Sequence, residues 1–355
     1  MGFFPVYCFL IPGYYIYGGN LLKDYFGLDI GSTSIKIVQL SKEKEAVFLQ
    51  SAVEYNLPPG MLLSDSPQAN NQLGQAVGQL LGAAKISANQ AVISIPSNSS
   101  GWDIFTFPPM DDDELQFAMK YEIKYRAAKE GEDSLSYWQT LKTGKDGARE
   151  IFLGYFPQYV AEKYNQIASA GGVSPMGFDI EVLSLMNLFK GMSKSFIFIH
   201  MGHNYSTVMI VSEGTLKHAE TISIGGLAIT NVLMQEFNMK PEEAIKTKME
   251  IGMEPSKFDG KIFFAIKKIL NPIVEGIIKI KEDPNFVNIP FEGLILSGGS
   301  SLVPRINDFF AHELSIKVSQ VNPWANIDCS RLPSEKLVPV ASKFSVAVGL
   351  ALSYL

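Results

Sequence analysis

The chain has 355 residues, of which 46% are hydrophobic and 19% are charged, and its net charge is −6. This length suits two domains of ordinary size, and the composition is that of a globular protein. The acidic balance and the lack of a basic stretch argue against a nucleic-acid partner. The two cysteines, Cys8 and Cys329, lie far apart without metal-ligand spacing, which favours a reducing compartment such as the cytoplasm.

Residues 1–22 carry no charge and are mostly apolar. Pro5, Pro12 and Gly13 would break a helix here, and the apolar runs are shorter than the about 20 residues that a membrane span requires. A basic start and a convincing cleavage site for a signal peptide are also missing. We interpret residues 1–26 as an N-terminal apolar extension, which is either an upstream mis-assigned start or an arm that touches a membrane or a partner.

The segment 27–40 predicts a hairpin in which one apolar strand reaches Asp29 and a second one ends at residue 40. Its turn contains Gly31, Ser32 and Thr33. A turn of such small residues exposes backbone N–H groups, which can hold a polyphosphate. The carboxylate of Asp29 could hold Mg²⁺ through water beside those phosphates. The alternative is an ordinary hairpin whose aspartate caps the turn.

The rest of the first half predicts alternating strands and helices. We expect strands at 43–52, 90–97, 102–107, 135–142 and 149–155, and helices at 66–85, 114–129, 157–169 and 179–188. The strands and helix within 89–156 indicate a small inserted α+β module. The helix at 179–188 is expected to connect the two halves of the chain.

The second half repeats the strand, turn and strand pattern at 195–199 and 208–211, around a turn that contains Gly202. Further on, Gly225 and Gly226 precede a predicted helix, so backbone donors at its N-terminus could meet an anion. A helix at 265–278 contains Pro272, which should kink it. Near the C-terminus, an apolar strand at 293–297 runs into a Ser-Gly-Gly turn.

Two such hairpins followed by a late Ser-Gly-Gly turn resemble the actin-like ATPase superfamily, whose three turns bind phosphates and adenosine. The segments 91–97 (AVISIPS), 107–110 (FPPM), 177–181 (GFDIE) and 347–352 (AVGLAL), and Asn322 with Pro323, resemble the PilM family of type IV pilus assembly proteins. The similarity runs from about residue 27 to the C-terminus. The cell-division family FtsA and cytoplasmic domains of type II secretion proteins share this architecture.

The resemblance implies an α/β fold of two ribonuclease-H-like lobes, 27–190 and 191–355, with an FtsA-type 1C subdomain inserted at about 89–156. It also implies an ATP and Mg²⁺ site in a cleft between the lobes. Asp29 is expected to hold Mg²⁺ through water. Lys36 is expected to contact the nucleotide, and the alternative is that it is an ordinary solvated lysine on a strand. The expected nucleotide contacts are Asp29, Gly31, Ser32, Thr33, Lys36, Gly202, Ser206, Gly225, Gly226, Lys248, Gly298, Gly299 and Ser300.

Two positions depart from the family pattern. His200 stands where relatives have an aspartate, and a neutral imidazole cannot organise a hydrated Mg²⁺ as a carboxylate does. Ile245 stands where relatives have a glutamate that grips the ribose, and Glu242 or Glu243 is left to substitute for it. A metal pair of His200 and His203 would lack further ligands. We predict no catalytic residue and little or no ATP turnover.

The resemblance implies a cytoplasmic scaffold of type IV pilus assembly, peripheral to the inner membrane through its partners. It would grip the short cytoplasmic tail of a PilN-type membrane protein within the inner-membrane assembly complex, and self-association stays open. The groove is expected in the 1C module, whose aromatic residues include Trp102, Phe105, Phe107, Phe117, Tyr121, Tyr125 and Trp138. The alternatives are an active ATPase or sugar-kinase-like phosphotransferase, and a component of cell division or type II secretion.

Overall fold

The structure is a computed structural model that describes residues 24–130, 133–332 and 338–355, with side chains described except at 127–130. The predicted extension therefore lies outside the described residues up to residue 23, whereas Tyr25 and Phe26 already belong to the first strand. None of the helices in these ranges is long and apolar enough to cross a membrane.

The strands are β1 (Tyr25–Ile30), β2 (Ser34–Glu43), β3 (Ala46–Asn56), β4 (Gln90–Ile95), β5 (Gly101–Phe107), β6 (Ser134–Thr143), β7 (Arg149–Pro157), β8 (Ser174–Ile180), β9 (Ser195–Met201), β10 (Ser206–Ser212), β11 (Thr215–Ile222), β12 (Phe291–Ser297) and β13 (Val318–Gln320). Most of them fall on predicted segments, whereas β8, β11 and β13 do not.

The helices lie between these strands. They are α1 (Pro67–Ala84), α2 (Asp112–Glu130), α3 (Gln158–Ala170), α4 (Glu181–Met186), α5 (Gly226–Phe237), α6 (Pro241–Glu250), α7 (Lys261–Glu282), α8 (Ile306–Leu314) and α9 (Ser345–Ala351). Helix α7 continues through Pro272, which is exposed to solvent. Both predicted hairpins, β1–β2 and β9–β10, are confirmed by antiparallel pairing.

The chain divides into two compact units. The first unit extends to Asn187 and includes Val346–Leu355, and the second unit is Leu188–Ser345. The last ten residues return to the first unit because α9 packs on β1: a Cβ at Gly27 would overlap the carbonyl oxygen of Ala347. Those residues had been predicted to belong to the second lobe.

The first unit contains a five-stranded sheet in the order β3-β2-β1-β4-β8. Strand β1 pairs antiparallel with β2 and parallel with β4, and β4 pairs parallel with β8. Helices α1 and α3 pack against each other at Gly74, where a Cβ would lie 2.6 Å from the carbonyl oxygen of Ile167. The predicted connecting helix at 179–188 begins later, at Glu181, because Asp179 and Ile180 complete the pairing of β8 with β4.

The inserted module is a separate antiparallel sheet in the order β5-β7-β6 with α2 packed against it. Its small core is formed by Leu115, Met119, Trp138, Ile151 and Leu153. Strand β4, which was predicted to lie in the module, instead pairs with β1 and β8 in the five-stranded sheet. The module therefore begins after β4.

The second unit contains a five-stranded sheet in the order β11-β10-β9-β12-β13. Strands β9, β10 and β11 form an antiparallel meander, and β12 runs parallel to both β9 and β13. The amphipathic helices α5 and α7 bury their apolar residues together with Ile197, Ile199 and Met201 of β9 in one hydrophobic core. This packing fixes the ends of β9 and β12, where the two predicted turns begin.

Candidate nucleotide-binding site

The predicted residues of the first hairpin form an internal polar network in the first unit. Asp29 and Lys36 are neighbours in the β1–β2 ladder, and the Lys36 Nζ lies 3.5 Å from the Asp29 Oδ2. The same Nζ donates to the Ser34 Oγ at 2.8 Å. The Asp29 Oδ1 accepts from the Ser94 Oγ at 3.2 Å. Since the Lys36 side chain is only 11% exposed, it is not a solvated strand lysine.

This network bears on the predicted Mg²⁺ contact. Both oxygens of Asp29 already have partners, and the Asp29 charge is balanced by the Lys36 ammonium group. In the described ranges, no group of three or more His, Cys, Asp and Glu residues is arranged to hold a metal ion. A hydrated Mg²⁺ is usually held by one or two carboxylates, and Asp29, whose oxygens already contact Lys36 and Ser94, is poorly suited to be one of them.

A buried carboxylate that was not among the predicted site residues lies close to the same sheet. Glu181 begins α4 and is 7% exposed, and its Oε2 accepts from the Ser97 Oγ at 2.9 Å and from the Ser97 N–H at 3.3 Å. The available signal was the GFDIE segment, in which Glu181 directly follows an apolar strand.

The second hairpin is tied to the N-terminus of α5. The Gly202 N–H donates to the Tyr205 carbonyl at 2.9 Å, which closes the turn. The Gly226 N–H then donates to the Gly202 carbonyl at 3.0 Å, and the Leu227 N–H donates to the His203 carbonyl at 2.8 Å. Both N–H groups thus bond to the hairpin, and contact between this helix N-terminus and an anion stays a prediction.

The glycines of the second unit let these segments approach each other closely. A Cβ at Gly225 would lie 2.6 Å from the His203 carbonyl carbon, and a Cβ at Gly226 would overlap the Ser300 Oγ. That hydroxyl donates to the Gly202 carbonyl at 2.7 Å. The hairpin, the start of α5 and the loop after β12 therefore meet at one place in the second unit.

Ser206 does not present its hydroxyl to a ligand. Its side chain is fully buried, and its Oγ donates to the Ile224 carbonyl at 2.6 Å. This bond links β10 to the loop before α5. The hydroxyl of Ser206 is thus a structural group of the second unit.

Lys248 joins this meeting point from α6. Its Nζ donates to the Gly226 carbonyl at 3.0 Å and to the Thr230 Oγ1 at 2.8 Å. The residue is only 8% exposed, and among the described residues no carboxylate forms an ion pair with it. Burial lowers the pKa of the Lys248 ammonium group. The pKa of His203 is also lowered, first by burial and then by the positive charge of Lys248.

The two glycines of the Ser-Gly-Gly turn after β12 differ in the space around them. Gly298 has a φ of +86°, and a Cβ there would overlap the Met201 carbonyl oxygen. Gly299 is exposed, and a Cβ there would have no atom within 4 Å. Of the predicted glycines in the second unit, Gly299 is therefore the one that faces open space.

His200 lies in a row of uncharged polar side chains across the second sheet. It is 6% exposed, and its Nδ1 lies 3.1 Å from the Ser297 Oγ, which donates to the Ser345 Oγ. Its ladder neighbour Thr207 is fully buried, and the Thr207 hydroxyl has no hydrogen-bond partner within the described part of the chain. Because His200 stands where the family pattern has an aspartate, this row has no negative charge.

Ile245, the second predicted departure, is 48% exposed on α6. Glu242 and Glu243 are exposed in the first turn of the same helix, where carboxylates stabilise the helix through its dipole. The described contacts give neither residue a role at the meeting point of Gly202, Gly226 and Ser300.

Solved structures share this fold. One described as a PilM-PilN type IV pilus biogenesis complex superposes with a TM-score of 0.79 at 19% identity, covering 94% of this chain and 99% of that chain. The ethanolamine utilization protein EutJ from Carboxydothermus hydrogenoformans gives a TM-score of 0.53 at 14% sequence identity, covering 94% of this chain and 91% of that chain. MreB5 of Spiroplasma citri bound to ADP gives a TM-score of 0.52 at 11% sequence identity, covering 93% of this chain and 95% of that chain.

These similarities confirm the predicted actin-like fold. A family model described as type IV pilus assembly protein PilM matches residues 165–354, which is more than half of the chain. The matched range contains the second hairpin, α5, Lys248 and the Ser-Gly-Gly turn. The chain therefore belongs to the PilM family of type IV pilus assembly proteins.

Proposed function

We propose that this chain is a nucleotide-binding scaffold of type IV pilus assembly. It would act at the cytoplasmic face of the inner membrane, bind the cytoplasmic tail of a PilN-type membrane protein, and turn over little or no ATP. Membership of the PilM family supports the pathway, and the related structure named as a PilM-PilN complex supports the partner. No helix in the described ranges is long and apolar enough to cross a membrane, which is compatible with attachment to the membrane through partner proteins.

The nucleotide part of the proposal is carried by Lys248. A buried ammonium group without a carboxylate partner is unfavourable by itself, and an anionic or oxygen-rich ligand would compensate its charge. Gly299, in the loop that contacts the same hairpin, leaves space for a flat base. Phosphate contacts from Gly31, Ser32 and Thr33 are supported by the family resemblance, and in the second unit the described contacts support Lys248 and Gly299.

Titration of the purified chain with ATP by calorimetry tests this part. Replacing Gly299 with leucine would extend a side chain into the open space that a Cβ at this position faces, so we expect a folded variant with at least about tenfold weaker binding. Replacing the exposed Lys246 of α6 with methionine is the control and should leave affinity unchanged. Equal affinities of the Gly299→Leu variant and the wild type would remove the adenosine assignment.

The partner site is proposed on the inserted module. Phe117, Tyr121 and Tyr125 follow each other at four-residue spacing on α2 and are 61%, 62% and 59% exposed. The rings of Phe117 and Tyr121 touch edge to face, with centroids 4.9 Å apart. A contiguous exposed aromatic row of this kind marks an interaction surface. Trp138, by contrast, is buried in the module core, and the remaining predicted aromatics, Trp102, Phe105 and Phe107, are partly buried.

A short tail with apolar side chains suits this row. The outer strands β5 and β6 of the module also pair only with β7 within the described residues, so strand addition is a second mode by which an extended peptide could dock. Aromatic anchors usually dominate such interfaces. We therefore expect the row Phe117–Tyr121–Tyr125 to provide most of the binding free energy for the tail.

The test is the affinity of a fluorescent PilN-type tail peptide for the full chain, measured by anisotropy. The double substitution of Phe117 and Tyr121 by serine should cost about 2 kcal/mol or more, roughly 30-fold in affinity. Tyr159 lies in the first turn of α3, outside the module, and is 68% exposed, so Tyr159→Ser is a matched control. Equal affinities of the double variant and this control would move the tail site elsewhere.

Low turnover follows from the second hairpin. Phosphoryl transfer depends almost entirely on positioning and on charge stabilisation by metal ions and cationic groups, and the row around His200 offers no carboxylate for a metal. An active ATPase or phosphotransferase is the competing function. Steady phosphate release above about 1 per second, the lower end for ordinary kinases, would favour it.

A further inference from the structure

The residues at the two positions that the resemblance assigns to Mg²⁺ do not suit a metal ion in this chain. In the first unit, Asp29 has its Oδ2 beside the Lys36 ammonium group and its Oδ1 bonded to the Ser94 hydroxyl. A hydrated Mg²⁺ would have to compete with an internal cation that is nearly buried. The local charge at Asp29 is already balanced without a metal.

In the second unit, the corresponding position carries no negative charge at all. His200 is bonded through Nδ1 to Ser297, and Ser297 is bonded to Ser345, so this ring nitrogen is engaged by the protein. Its neighbour across the ladder, Thr207, adds a buried hydroxyl without a partner in the described ranges. Such a row can bond to water or to ligand oxygens, but it provides no carboxylate to which a hydrated Mg²⁺ could be anchored.

Positive charge is nevertheless present where the predicted loops meet. Lys248 is buried beside Gly226, and its three N–H groups have two described acceptors, the Gly226 carbonyl and the Thr230 hydroxyl. An ammonium group has three donors, so one is left for a ligand oxygen. The whole meeting point, made of Gly202, Gly226, Lys248 and Ser300, contains no acidic side chain.

We propose that this chain binds its nucleotide without a divalent cation, and that buried lysine, Lys248 above all, supplies the positive charge that a metal would otherwise provide. This inference rests on the proposed nucleotide-binding function. It also makes the nucleotide a ligand that is held and not consumed, because the metal that neutralises charge during phosphoryl transfer has no place.

The test is calorimetric titration of the full chain with ATP, once with excess EDTA and once with excess Mg²⁺. We expect the two dissociation constants to agree within about threefold. A loss of about tenfold or more in EDTA would overturn the inference while leaving nucleotide binding intact. The absence of binding in both buffers would overturn the proposed function and the inference together.

Three variants sharpen the result. Lys248→Met should weaken binding by about tenfold or more in EDTA, whereas Lys246→Met on the exposed side of α6 should not. His200→Asp restores a carboxylate and should make binding respond to Mg²⁺, with an increase of about tenfold when the metal is added. Circular dichroism of each variant verifies folding. Binding by Lys248→Met that matches the wild type in EDTA would contradict the role given to this lysine.

Discussion

The adjacent residues Gly298 and Gly299 should respond in opposite ways to the same substitution by alanine. Gly298 combines a φ of +86° with a ψ of 167°, a region that is essentially restricted to glycine and costs other residues about 1–3 kcal/mol. Its new Cβ would also meet the backbone of Met201, including the carbonyl carbon at 2.8 Å. Because backbone atoms cannot move aside cheaply, this overpacking adds about 1–3 kcal/mol.

The sum for Gly298→Ala is a loss of about 2–6 kcal/mol in the free energy of unfolding, a large part of the about 5–15 kcal/mol typical of a native domain. Gly299→Ala meets no atom within 4 Å and has an ordinary φ, so its effect should stay within about 0.5 kcal/mol. The assay is urea unfolding followed by circular dichroism.

Equal midpoints for the two variants would refute this reasoning about the turn. The comparison also matters for studies of the ligand. A bulky residue at Gly298 is the obvious choice from the Ser-Gly-Gly pattern, but it would weaken the fold and the site together. Gly299 is therefore the position at which binding can be tested separately from stability.

Other predictions concern single buried groups. Tyr137→Phe removes the hydroxyl that donates to Asp179 at 2.8 Å and accepts from the Ile180 N–H at 3.1 Å, so urea unfolding should show a loss of about 1–3 kcal/mol. Pro272→Ala removes an exposed proline inside α7 and should raise the unfolding free energy by up to about 3 kcal/mol. Lys248 has a lowered pKa in the folded state, so the unfolded chain binds its proton more tightly, and its contribution to stability rises with pH from the lowered pKa to about 10.4. Unfolding free energies measured at successive pH values should show a smaller rise for Lys248→Met than for the wild type.

Most elements could be predicted because their signals are local. Alternation of apolar residues and small turn residues identified β1–β2 and β9–β10, and helical spacing identified α1 within one residue of its observed limits. The order of the hairpins and the Ser-Gly-Gly turn then indicated the actin-like fold. Errors occurred where pairing between distant segments decides the outcome. Asp179 was predicted to begin a helix, but the pairing of β8 with β4 makes it part of a strand.

The site was less predictable for the same reason. The sequence could place Gly225 and Gly226 before a helix, but it could not show that the carbonyls of the β9–β10 turn accept the N–H groups of Gly226 and Leu227. Ser206 matched the family pattern, yet its hydroxyl bonds to Ile224 within the protein. Both details depend on how two loops pack, which no local pattern records.

A glycine in these motifs is therefore weak evidence for contact with a phosphate. Gly225, Gly226 and Gly298 are each explained by the close approach of other protein atoms, so the same residues would be required in a relative that bound nothing. The residues that argue for a ligand are those whose situation the protein alone does not explain. Lys248 is a buried charge without a counterion in the described chain, and Gly299 faces open space. Measurements at these two positions will separate a nucleotide-binding member of the PilM family from one that keeps only the fold.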